Sequence, residues 1–216
     1  HRPLIAWSGV AAAIIIGALQ PFDILAGVNW NVLGILAGSL ILAELFIFSR
    51  VPEALADQLI NRSPSVGVAF LMIIAFASVV SIFMDNVVTV LITAPIALQL
   101  ARKADVSPVP VIVGIAISSN LQGMAILIGD TPSMILAARM KMNFLDFFVY
   151  KDSGLPGIFW LVQLGAVAGF VVLHWFVKGN REKPQPLAVT PVRSWLPVWL
   201  VVIVIVALSF AMYIDT

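Results

Sequence analysis

The feature that most constrains this chain is a pair of long apolar runs, each holding one acid. Between Ser63 and Ala101 the only ionisable residue is Asp85, and between Val106 and Ala138 it is Asp130. A carboxylate among Val, Ile, Leu and Ala side chains is costly in a low-dielectric medium, so an acid kept there is a functional candidate by default. Each sits in a polar interruption: Ser81-Ile-Phe-Met-Asp-Asn-Val-Val-Thr89 in the first run, and Ser118-Ser-Asn-Leu-Gln-Gly123 followed by Gly129-Asp-Thr-Pro-Ser133 in the second. Two apolar segments broken by hydroxyl, amide and carboxylate groups form the pattern of a membrane transport site.

Composition supports lipid as the solvent. Of 216 residues, 61% are hydrophobic and 11% charged, whereas a soluble domain carries roughly 25% charged residues. Such a chain cannot cover its own surface with polar groups. The expected class is an all-α polytopic integral membrane protein; the expected location is a bacterial inner or plasma membrane, which composition by itself does not specify. The absence of Cys excludes disulfides and thiolate metal sites. The two histidines, His1 and His174, stand at the chain start and near a helix end, so no histidine-based metal site is expected. Neither a nucleophile–base pair nor a metal cluster points to an enzyme, and no nucleic-acid partner is expected. Leu4–Leu19 lacks the cleavage site of a signal peptide. The chain begins without Met, so it is expected to be part of a longer polypeptide.

Plain spans are predicted over about Leu4–Leu19, Val32–Ser49, Leu155–Val177 and Trp195–Tyr213. Gln20–Asp23 ends the first, and Ala26–Asn31 reads as a loop with Trp30 at an interface. Glu44, in the second span, either reaches the interface beside Arg50 or acts as a coupling acid. Arg50–Arg62 has apolar Val51, Leu55, Leu59 and Ile60 at helical spacing, which predicts a short amphipathic helix lying in the interface. Val66–Phe83 and Val87–Leu100 are apolar arms joined at Asp85-Asn86 without a polar loop. At roughly 21–27 Å they fall short of a ~30 Å hydrocarbon core, so a re-entrant helical hairpin is expected, over about residues 65–101. Val109–Met140 as one straight helix would run about 48 Å and must break. Ser118-Ser119-Asn120 and Gln122-Gly123 mark the first break. Asp130 or Thr131 caps the restart, with Pro132 in its first turn. Asn143–Gly154 reads as a loop and residues 179–194 as a polar linker.

Orientation follows from Lys and Arg. Alternating sides places Arg2, Arg50, Arg62, Arg102, Lys103, Lys178, Arg181, Lys183 and Arg193 on one face, and Arg139, Lys141 and Lys151 on the other. The richer side, which includes the linker, is expected to be cytoplasmic.

The breaks concentrate hard oxygen donors. Carboxylates of Asp85 and Asp130, carbonyls around Phe83–Asp85 and Ser118–Asn120, and hydroxyls of Ser81, Thr89, Ser119 and Thr131 suit Na⁺ or a proton rather than a soft metal. The helix N-termini at both breaks could face an anion. Gly123 and Gly129 permit the backbone turns.

These residues carry a family resemblance. Asn29-Trp-Asn-Val-Leu-Gly34, Phe83-Met-Asp-Asn-Val-Val-Thr-Val-Leu91, Ala94-Pro95, Ser119-Asn120, Ile128-Gly-Asp-Thr-Pro132 and Phe144-Leu-Asp-Phe147 occur in this order. The chain resembles the arsenite permease, NhaD-type sodium–proton antiporter and P-protein group of the ion transporter superfamily, which also holds citrate and divalent anion/sodium symporters. The resemblance implies an inverted-repeat unit over residues 1–178, with a re-entrant hairpin and a broken helix at about 109–140. Residues 195–216 would be the first helix of a second repeat that continues beyond the chain. It implies a homodimer, and it places the hairpin tip on Asp85, Asn86 and Thr89 and the broken-helix site on Asn120, Gly129 and Asp130. The family's paired glycines fall on Gln122 and Gly123, and its restart asparagine on Ser133; both are departures.

The expected function is secondary active transport of a small anion or oxyanion, arsenite- or carboxylate-like, coupled to Na⁺ or H⁺. Expected site residues are Ser81, Asp85, Asn86, Thr89, Ser118, Ser119, Asn120, Gly123, Gly129, Asp130, Thr131 and Ser133. Asp85, Asn86, Asn120 and Asp130 would hold Na⁺, the only cofactor-like ion expected. The alternatives are a Na⁺/H⁺ antiporter without an anion substrate and a non-transporting membrane subunit or half-transporter.

Overall fold

The computed structural model describes residues 2–17, 30–177, 179 and 182–211. The chain forms two compact units, His1–Gly34 and Ile35–Thr216. The first contains α1 (Arg2–Ile15). Gly17 ends that helix at φ 75°, a left-handed conformation that glycine adopts without steric cost. Ala18, Leu19 and the predicted loop through Asn29 lie outside the described residues. So do residues 212–216, at the end of the predicted last span.

The next helix, α2, runs from Trp30 to Ser49. It therefore starts earlier than expected: Trp30 and Asn31 belong to the helix, not to a loop. Neither residue is Gly or Pro, so extending an apolar helix backwards adds hydrogen bonds without a new nucleation cost. Arg50, at φ 56°, turns the chain into α3 (Val51–Asn61), which has Pro52 in its first turn. The predicted amphipathic helix is present, and two of its apolar positions, Val51 and Ile60, are buried. Ala54, Ala56, Asp57 and Ile60 are buried while Leu55 is exposed. The small alanines allow close approach, and Asp57 tolerates burial because Thr190 donates to it twice.

The apolar arms form α4 (Val66–Phe83) and α5 (Asn86–Lys103). Ser65 caps α4 by accepting from the Val68 N–H, at 3.3 Å. Arg102 and Lys103 lie in the last turn of α5, where cations complement the helix dipole. The second apolar run breaks as expected, into α6 (Val109–Gly123) and α7 (Thr131–Met140). The first break falls at Gln122-Gly123, the second of the two stretches that mark it in the sequence, and not at Ser118–Asn120. Ser119 Oγ and Asn120 Nδ2 donate back to the Ala116 carbonyl, so both stay inside the helix, which ends at Gly123.

The segment after α7 is more ordered than a loop. It holds tight helical turns at Phe144–Phe147 and Lys151–Ser153, and an antiparallel pair of β1 (Val149–Tyr150) and β2 (Leu155–Pro156). Gly157 lets the chain pass against the Phe147 carbonyl, where a Cβ would lie 2.2 Å from the oxygen. Helix α8 (Ile158–Val177) follows, and α9 (Leu196–Ala211) closes the described chain.

The main core is built on α4, whose Phe70, Ile73, Ile74 and Ala77 meet Ile96, Ala97 and Leu100 of α5 and Val111 and Ile115 of α6. A second cluster joins the 125–128 turn to Met142, Phe144, Phe147 and Val162. Between α8 and α9 the predicted linker is tied down. Glu182 O accepts from Val66 N, Asn61 bonds Leu187 reciprocally, and Arg193 N donates to Ser49 O.

Among the described residues, three helical stretches, Val32–Ser49, Val66–Phe83 and Ile158–Val177, are long and apolar enough to cross a membrane. The outer two are only 11% buried. Their Leu, Val, Ile and Phe side chains face outward, where a water-soluble protein would place polar ones. This is the surface of a membrane protein.

Candidate functional site

The hairpin tip and the helix restart are built alike. After Phe83 the chain extends through Met84 and Asp85, and the Asp85 carboxylate accepts the Val87 N–H at 2.8 Å, starting α5. After the 124–129 turns, Asp130 is likewise extended, and its carboxylate accepts the Thr131 N–H at 2.8 Å, starting α7. Aspartate is a strong N-cap because its side-chain oxygen satisfies an orphan donor of the first turn.

The two starts meet. Asn86 Nδ2 donates to Asn120 Oδ1 at 2.6 Å and reaches Asp130 Oδ2 at 3.3 Å. One amide thus links the first residue of α5, the last turns of α6 and the cap of α7. Asp85, Asn86 and Asp130 are half-buried, and Asn120 is exposed, so the cluster opens on one face of the fold.

Close backbone packing holds this arrangement. A Cβ on Gly129 would lie 2.3 Å from the Gly123 carbonyl oxygen and 2.9 Å from the Ile82 carbonyl oxygen. One on Gly123 would lie 3.2 Å from Asp130 Cβ. Both glycines are therefore contact points between the end of α4, the end of α6 and the turn before α7. Buried Ser81 adds a tie by donating to the Ser119 carbonyl at 2.7 Å.

The remaining expected residues divide. Buried Thr89 donates to the Asp85 carbonyl, and buried Ser133 donates to the Asp130 carbonyl. Ser119 is buried beneath the cluster. The hydroxyl donors of these residues are committed, but their oxygens keep lone pairs. Thr131 contributes its N–H to Asp130. Ser118 makes none of the cluster's hydrogen bonds. Glu44 lies exposed on α2, and among the described residues no hydrogen bond joins it to the cluster.

The helix starts differ in what they offer an anion. In α7, Thr131, Ser133 and Met134 all direct their N–H groups to Asp130, and Pro132 has none. Among the described residues, Asn86 and Val88 of α5 have N–H groups to which no acceptor is paired. The two starts look equivalent in sequence; among the described residues, of the two only α5 keeps unpaired N–H groups.

Sequence reasoning missed one polar contact. Gln163 lies in what reads as the plain span of α8, yet its amide and that of Gln122 bond reciprocally, at 3.0 Å each way. An isolated glutamine in an apolar span is itself a signal, because such side chains hydrogen-bond between membrane helices.

An apolar helical fold with two capped breaks meeting at one polar cluster is an arrangement that membrane transporters use. The family follows from comparison with known proteins: the chain belongs to the citrate transporter family, whose model matches residues 1–215. It is similar to an uncharacterized transporter of Mycobacterium tuberculosis, 29% identical over 76% of this chain and 37% of that protein. It is 32% identical to the magnetosome protein MamN of Paramagnetospirillum magneticum, over 65% of this chain and 33% of MamN. The human P protein is 27% identical over 92% of this chain and 24% of its own length. These relatives bear out the ion transporter superfamily named from the motifs. The chain spans between about a quarter and a little over a third of the length of these curated relatives.

Proposed function

We propose that this chain is part of a secondary active transporter that moves a small anion or oxyanion, arsenite- or carboxylate-like, coupled to Na⁺ or H⁺. The observation that carries this reading is the double contact of Asn86 with Asn120 and Asp130, which joins two capped helix starts at one polar cluster. Each carboxylate commits one oxygen to its cap. The other oxygens of Asp85 and Asp130, with Asn120 Oδ1, are the cation ligands of the proposal; Na⁺ and the proton are substrates here. The unpaired N–H groups at the start of α5 face the anion, favoured by the helix dipole.

On this reading α4 and α5 form a re-entrant hairpin. Each has 18 residues, about 27 Å at 1.5 Å per residue, so a tip within the bilayer follows if the hairpin starts at its edge. The 1–178 segment is one inverted repeat, residues 179–194 are a cytoplasmic linker, and α9 opens a second repeat. The protein works as a multi-pass homodimer in a bacterial inner or plasma membrane.

One observation favours a second reading. The N–H groups at the start of α7 are consumed by Asp130, which leaves an anion those of α5 alone and suits a Na⁺/H⁺ antiporter. Flux of ²²Na⁺ and protons in proteoliposomes of the full-length protein, with and without arsenite, citrate or succinate, separates the two. Anion-dependent ion flux supports the first, and exchange indifferent to every anion supports the second. Coupled transport retained in both Asp85→Asn and Asp130→Asn would sink the assignment of the carboxylates.

A further inference from the structure

The last turn of α6 is held from two sides. Asn120 is exposed and bonds the hairpin tip through Asn86. Gln122, two residues on and therefore roughly 200° around the helix, is only 4% exposed and bonds Gln163 of α8. Gln122 and Gln163 cannot exchange each other for water in an apolar setting. Gln163 borders an apolar groove with Phe148, Leu164 and Val167, and Gln122 borders another with Leu71, Val79 and Phe170. A reciprocal amide pair satisfies both carbonyl oxygens and one N–H of each group, so breaking it leaves polar atoms against hydrocarbon.

The position of this pair matters for the site. Gly123 follows Gln122 directly, and its carbonyl is the atom packed against Gly129. One residue beyond Gly129 lies Asp130. Along the same edge, Leu121 packs against Gly165 of α8, at 3.4 Å from where a Cβ would stand. A turn of α6 free to rotate about its axis would move the Gly123 carbonyl and Asn120 together.

We propose that Gln122 and Gln163 are a positioning pair: their hydrogen bonds fix the rotation of the α6 end and so set the geometry of the Asn86–Asn120–Asp130 cluster. Neither residue touches the transported species. The proposal rests on the transport reading given above, and its test separates the two.

The test uses the full-length protein and four forms: wild type, Gln163→Leu, Gln122→Leu and the double variant. Thermal unfolding in detergent reports the link itself. Each single variant strands a buried amide and is destabilised, and the double variant is no worse than the worse single one. Flux in proteoliposomes reports the positioning. The Na⁺ or H⁺ concentration for half-maximal transport rises in each variant, by up to about tenfold, the ceiling set by roughly 0.6 kcal/mol for each of two interhelical hydrogen bonds. The double variant, although no less stable than a single one, keeps the raised value, because nothing then fixes the turn. Gln163→Glu adds a signature. A protonated carboxyl can replace the amide in both hydrogen bonds, so the variant approaches wild-type ion affinity at low pH and departs from it as pH rises. Additive losses of stability, or a half-saturating concentration unchanged in every variant with stability lost, overturn the proposal. A wild-type protein without flux overturns the transport reading instead; the unfolding cycle still decides the link.

Discussion

Replacing Gly129 with Ala tests whether backbone contact between the two breaks holds the site. The added methyl would stand 2.3 Å from the Gly123 carbonyl oxygen and 2.9 Å from that of Ile82. A tolerable separation is about 3.0 Å, so the gap must open by at least about 0.7 Å. Both obstructing atoms are backbone, one at the end of α6 and one at the end of α4, and no side chain can swing aside. Overpacking of this kind costs about 1–3 kcal/mol, and the rigid neighbours place Gly129→Ala at the upper end. The shift also reaches Asp130, the next residue. Its 3.3 Å contact with Asn86 is already long, and a further half ångström takes it beyond hydrogen-bond range. The expected result is a full-length protein destabilised by about 2–3 kcal/mol in detergent unfolding, with a raised half-saturating ion concentration in proteoliposome flux. Gly38→Ala is the control, because no atom lies within 4 Å of the added methyl; it should be neutral or slightly stabilising, as Ala is the better helix former. If Gly129→Ala matches that control in both assays, the close approach of Gly123 and Gly129 is refuted.

Other outcomes follow from the same geometry. Asp57→Ala removes the acceptor of two Thr190 donors; it should cost about 1–3 kcal/mol and speed proteolysis within residues 182–193, and an unchanged cleavage rate would count against the tied-down segment. Ser81→Ala leaves the Ser119 carbonyl without its side-chain donor; a loss of about 0.5–1.5 kcal/mol is expected in thermal unfolding, and no loss would mean that this tie contributes nothing. Gly157→Ala drives a methyl to 2.2 Å from the Phe147 carbonyl oxygen; detergent unfolding should show a loss of about 1–3 kcal/mol, and a stable variant would contradict the tight turn into α8.

Much of this protein is written locally. The spans of α2, α4 and α8 follow from runs of apolar residues, which lipid or core must cover whatever the topology. The two breaks were also legible, because a lone Asp beside Asn or before Thr-Pro carries its own capping chemistry. Boundaries slipped where side chains bond back to their own helix: Ser119 and Asn120 look like breakers in sequence, yet their bonds to Ala116 keep them helical. The burial of Asp57 on α3 is not legible for a different reason: Thr190, which donates to it twice, lies far along the chain.

The sequence by itself determined that the chain is helical and membrane-embedded, that it breaks twice, and which carboxylates stand at the breaks. Those are properties of hydropathy and of residues within one helical turn of each other. Only the tertiary structure decided that the breaks meet through Asn86 and that Gln122 pairs with Gln163. Each of these is settled by residues distant in the chain, through how the helices pack rather than by any local preference.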